Sequence, residues 1–267
     1  MKRMPAVAGS FYPETEQGLR SELKKLLSGP ADRKQAIGLI VPHAGYIFSG
    51  AIAATGYQAV DIPATVLLLG PNHQGLGPQA SIYARGSWQT PLGNLPVAET
   101  LADDLLNNCD LLEADELAHR FEHSLEVQLP FLQALRDDLR ILPISLGHGP
   151  LDGWLTLGRQ IGEALSRNEE QVLLLASTDM NHFASAAYST EVDHLAITEM
   201  ENYDPAGLFR LVRERQISMC GVIPTVVLLE AAKILGASSC RLLRYGHSGE
   251  VNGDLSSVVG YASLVVT

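Results

Sequence analysis

Apolar positions along the chain fall into two patterns that alternate. Short runs that are almost continuously apolar read as strands buried on both faces. Longer stretches with apolar residues returning every three or four positions read as helices with one face on a core. QAIGLIVPH (35–43), TVLLLGPNH (65–73), LRILPISLGH (139–148) and QVLLLASTDMNH (171–182) are of the first kind. CRLLRYGHSGE (240–250) and SSVVGYASLVV (256–266) close the chain as two more strands, near enough in sequence to pair antiparallel. Predicted helices cover 14–28, where Leu19, Leu23, Leu26 and Leu27 share a face, and 48–60, which is rich in small residues. Others cover 96–108 with Pro96 in the first turn, 123–138 with a kink at Pro130, 151–167, 189–203, 204–216, and 220–236 ending at Gly236. The stretch 76–93, with Arg85 and Trp88, reads as surface loop. Apolar strands separated by helices predict an α/β fold: one domain over 1–267, with a mostly parallel central sheet flanked by helices.

In such a fold, sites form beyond the carboxyl ends of the strands. Three predicted strands deliver polar, chemically able residues there. His43 follows IGLIVP, His73 follows VLLLGPN, and Asp179 and His182 follow VLLLAST. Parallel strands would place them on one rim. Imidazoles held by rigid strands suit a divalent metal such as iron, copper or zinc. Two histidines and a carboxylate with open positions is the non-haem iron pattern, while a few N/O ligands and a water suit catalytic zinc. A third histidine is then available for proton transfer, with Asp179 orienting it. His123, beside Glu122 and Glu126, either reaches this rim or bonds locally. His247 and Glu250 lie in a polar loop between the last two strands. Cys220 stands just before a helix start, where the dipole favours a thiolate. His119, His148 and His194 read as surface residues.

Composition narrows the functions. A formal net charge of −11 argues against nucleic acid and against anionic membrane surfaces. No apolar run is long enough to span a bilayer, and no apolar stretch follows the basic N-terminal residues, so no secretory signal is expected. Three widely spaced cysteines fit a reducing cytoplasm. There is no HExxH, Walker or GxSxG motif.

Taken together, AGSFYP (8–13), VPHAGYIFSG (41–50), LGPNHQG (69–75), TPLG (90–93), EHSLEVQLPFL (122–132), STDMNHF (177–183), CGVIP (220–224) and SSVVGYA (256–262) resemble the Memo family, in its order and across nearly the whole chain. The resemblance implies a fold similar to the class III extradiol dioxygenases, which are non-haem iron enzymes, and a cytosolic protein. It implies association with AMMECR-type and radical SAM proteins in prokaryotes. His43 and His73 match the family's metal-binding histidines, Asp179 and His182 a further polar pair, and Cys220 the cysteine of CG-x-x-P. The resemblance also implies a ligand in the loop before the last strand. There this chain has Val251 where a cysteine is expected, which leaves the adjacent Glu250 as the third ligand, with His247 competing. Three functions follow as expectations. The first is a metal-dependent redox enzyme acting on an unknown small molecule. The second is a non-catalytic module that binds a peptide or protein, and the third is a zinc-dependent hydrolase.

Overall fold

Strands buried on both faces need helices on both sides, and the chain supplies them by alternation. The computed structural model describes all 267 residues. The first half comprises β1 (Lys2–Arg3), α1 (Glu16–Leu26), β2 (Gly38–Val41), α2 (Tyr46–Ala59), β3 (Thr65–Pro71), β4 (Ala80–Ile82), β5 (Ser87–Thr90), β6 (Gly93–Pro96), α3 (Glu99–Asn108), β7 (Leu112–Ala114) and α4 (Leu129–Leu135). Single 3₁₀ turns at Leu117–His119 and Glu126–Gln128 precede α4. The second half comprises β8 (Arg140–Leu146), α5 (Leu151–Ser166), β9 (Val172–Ser177), β10 (His182–Ala184), α6 (Ala186–Glu201), α7 (Pro205–Glu214), α8 (Val222–Ile234), β11 (Cys240–His247), α9 (Gly249–Asn252) and β12 (Val258–Val266).

The main sheet runs β12-β2-β9-β3-β8-β4-β7, and β10 and β11 both pair with β12. Its centre, β2-β9-β3-β8, is parallel throughout. The flanks turn antiparallel: β12 against β2, β11 against β12, and β4 against β8. β1, β5 and β6 form a second, small sheet. Alternation along β2 sorts the helices. Leu39 and Val41 meet α2 at Gly56, whereas Gly38 meets Leu228 of α8, so α2 and α8 cover opposite faces. One contiguous apolar core joins both layers.

Four sequence expectations need correction. Pro96 ends β6, and α3 starts only at Glu99. Pro130 does not kink a long helix; it sits in the first turn of α4, where its missing N–H has no partner to lose. The stretch 76–93 is not surface loop: it carries β4 and β5, and Trp88 is fully buried beneath the Arg3 guanidinium, 4.1 Å from the ring centre. His119 is also fully buried, edge-on to Tyr83 and Trp88. Its pKa falls to about 4, because burial disfavours the cation and Arg3 repels it.

Candidate metal centre

β2, β9 and β3 are neighbours and parallel, so their carboxyl ends share one rim. His43, Asp179 and His73 each stand two residues past the end of one of these strands. The turn chemistry brings further segments against the same rim. A Cβ at Gly70 would stand 2.6 Å from Leu125 Cδ2 and 2.7 Å from Ser124 Oγ, so only glycine lets loop 122–125 lie on the end of β3. That loop carries His123. Gly221 plays the same part beside β9, where a side chain would collide with Thr178 and the Ser177 carbonyl. It lets Cys220 reach the site.

One ring nitrogen each from His43, His73 and His123 lies within 4.8 Å of the other two. The His73 and His123 rings stack at 4.8 Å, and His43 stands edge-on to both. Glu250 is not in this group. It is exposed on α9, and its Oε1 accepts from the His247 N–H at 3.1 Å, capping its own loop. His247 is likewise outside the group. His123 is the third member of the group, the first of the two alternatives its sequence left open; it arrives on a loop laid across the strand ends.

Hydrogen bonding fixes which nitrogen His43 and His73 offer. Glu122 is fully buried and accepts four bonds: His73 N at 2.7 Å, His73 Nδ1 at 2.8 Å, His123 N at 3.0 Å and Ser124 N at 2.9 Å. Burial alone would raise its pKa; the hydrogen bond and charge of His73 and the Ser124 N–H outweigh burial and bring it down to about 2. An ionised carboxylate only accepts, so His73 Nδ1 carries its proton and Nε2 is left as the lone-pair atom. Burial lowers the His73 pKa, but the hydrogen bond and charge of Glu122 raise it more.

His43 reaches the same state by another route. Ser177 Oγ donates to the Ser124 carbonyl at 2.7 Å and accepts from Gln128 Nε2 at 2.8 Å. Its remaining lone pair faces His43 Nδ1 at 2.9 Å, so that nitrogen donates and Nε2 carries the lone pair, with Cys220 Sγ at 3.3 Å beside it. Burial, then the neighbouring His123 and His73, push the His43 pKa well down, which keeps the ring neutral and able to ligate.

Around this centre stand the other expected residues. Asp179 Oδ1 accepts from the N–H of His43 at 2.8 Å and of Ala44 at 3.3 Å. Burial raises its carboxyl to about 7 against those bonds. Cys220 Sγ lies 3.3 Å from His43 Nε2 and accepts from the Asp179 N–H at 3.3 Å. Burial and the Asp179 charge push its thiol well up, so desolvation outweighs the helix dipole. His182 donates from Nδ1 to the Ser218 carbonyl at 2.8 Å, and its Nε2 also stays free. Burial lowers its pKa. The next residue, Phe183, is the unpaired residue where the β10–β12 register shifts, and has φ +61°. The residue is 79% exposed.

The donor set suits a metal: three clustered imidazoles, two of them held at Nδ1, with a buried carboxylate behind one and a thiol beside another. The fold and the site therefore define an α/β protein with a candidate metal centre on the carboxyl rim of a parallel sheet. The family model described as Memo-like protein matches residues 3–265. A MEMO1 family protein of Methanosarcina mazei is 40% identical over 99% of this chain and 98% of its own. One of Aquifex aeolicus is 41% identical over 98% of both. The chain belongs to the Memo family. In fold it is similar to an uncharacterized protein, JW3007, of Escherichia coli, with TM-score 0.62 and 14% identity over 87% of this chain and all of the other.

Proposed function

We propose that the chain is a metal-dependent enzyme with iron as its metal and a redox reaction as its class. One observation carries the reading: two buried acceptors, Ser177 and Glu122, hold the Nδ1 protons of His43 and His73 and free Nε2 of each for a metal, with His123 completing the set. A divalent iron bound by His43, His73 and His123 would supply Lewis acidity and one-electron chemistry. The surrounding residues handle protons. His182 Nε2 accepts or returns a proton, and Asp179, with its carboxyl near neutrality, shares that exchange while fixing the His43 backbone. The Cys220 thiol borders His43 Nε2 and adds a soft donor when deprotonated. Iron, rather than copper or zinc, rests on the resemblance to the dioxygenase-like fold, an analogy of fold alone.

A second reading, a zinc hydrolase, is favoured by the donor set itself, since three imidazoles and a water are a catalytic zinc pattern. Iron(II)-loaded protein treated anaerobically with nitric oxide separates the two. A high-spin iron–nitrosyl EPR signal, absent in His43→Ala, supports an open iron site. No such signal, together with ester hydrolysis by the zinc-loaded protein, moves the assignment to the hydrolase. No helix is long and apolar enough to cross a membrane. The three unpaired cysteines support a cytoplasmic location. Partnership with AMMECR-type and radical SAM proteins is proposed from the family resemblance alone.

A further inference from the structure

Phe183 is placed at odds with the folded chain's own interests. It is a bulged residue in the left-handed region, a position that glycine fills without strain, yet it carries a phenyl ring that packs on little and is 79% exposed. Bulges beside sites re-aim side chains, and strained residues persist where function holds them. The ring stands beside a site group, its centre 5.7 Å from that of His182. The backbone of Leu255, a second half-exposed apolar residue, borders the same segment, its carbonyl accepting from the Ala186 N–H at 2.9 Å. We infer that Phe183 is a specificity-determining lip: the ligand of this centre joins a metal-binding polar head to a flat apolar group that lies on the Phe183 ring.

The inference rests on the metal reading above and deepens it. A polar head alone would need no aromatic surface beside His182. A ligand with an apolar arm buries the ring that folding leaves in water, and so gains affinity from it.

Two chelators with the same head test this. Acetohydroxamate and benzohydroxamate both bind metals through the hydroxamate, and only the second carries a ring. Their affinities are measured by calorimetry on zinc-loaded wild type, Phe183→Ala and Phe183→Gly. The expected result is benzohydroxamate about ten-fold tighter than acetohydroxamate in the wild type, a difference of about 1.4 kcal/mol. Both variants should lose that preference while keeping zinc and acetohydroxamate affinity. Phe183→Gly relieves the strained backbone, so loss of preference there is not loss of fold. Equal affinities in the wild type, or a preference that survives in both variants, overturns the lip. Failure of the wild type to take up zinc or either hydroxamate overturns the metal reading, and the lip with it.

Discussion

Two hydrogen bonds decide what His43 and His73 can do. Each ring is held at Nδ1 by a buried acceptor that its other hydrogen bonds fix in place, so each is left with Nε2 for a ligand. Removing such a support lowers metal affinity by about 10–100-fold in known sites, and Glu122→Gln should do the same here, read by titration with zinc. The same substitution carries a pH signature. The Glu122 carboxyl sits at about 2 in the fold against 4.5 for the free group, so its stabilisation is present above 4.5 and is lost as pH falls towards 2. The gap in denaturation midpoint between wild type and Glu122→Gln should therefore be wide at pH 6 and shrink below pH 4. Phe183 pulls the other way. A left-handed L-residue costs about 1–2 kcal/mol, part of which glycine returns through its freer unfolded chain. Phe183→Gly should stabilise the apo protein by about 1 kcal/mol, measured by urea unfolding.

Among the elements, the N-terminal segment does more than its short strand implies. Arg3 is buried and donates to the His119 carbonyl at 2.7 Å, the Glu122 carbonyl at 2.5 Å and Glu126 Oε2 at 2.6 Å. Glu126, fully buried, also accepts from the N–H of Ala6 and Val7 and from the Tyr12 hydroxyl. Residues 3–12 thus strap down the segment that carries Glu122 and His123, and Phe11 packs on the His123 ring at 4.8 Å. Glu126→Ala leaves the Arg3 charge buried and unpaired, and breaking such a pair costs about 3–5 kcal/mol, a loss that calorimetric unfolding would register. Little of this was legible beforehand. The parallel strands and their polar ends could be read because continuous apolar runs and terminal histidines are local signals. Arg3 with Glu126, Trp88 in β5, and His123 on its loop are long-range placements with no period to betray them. Glu250 lies outside the histidine group for a related reason: position relative to a motif says nothing of where a loop's carboxylate turns, and here it turns back on its own backbone.

Across the whole molecule, the sheet separates two ends. The histidines gather at the carboxyl ends of β2, β9 and β3. A cavity of about 770 Å³, lined by Thr65, Arg140 and Arg167 among others, opens at the amino ends of β3 and β8. Its arginines pair with or face acidic neighbours such as Glu170, and nothing links it to the metal centre. Substitutions there, Arg167→Ala for one, serve as controls that leave metal affinity unchanged. The central claim is that His43, His73 and His123 form one metal site from which Glu250 is absent. The direct measurement is the metal content of protein purified without oxygen, for the wild type and for His43→Ala, His73→Ala, His123→Ala and Glu250→Ala. The account predicts near one equivalent in the wild type and in Glu250→Ala, and little in the three histidine variants. A wild type that holds no metal and binds no added iron(II), copper or zinc would contradict it, as would metal kept by His123→Ala and lost by Glu250→Ala.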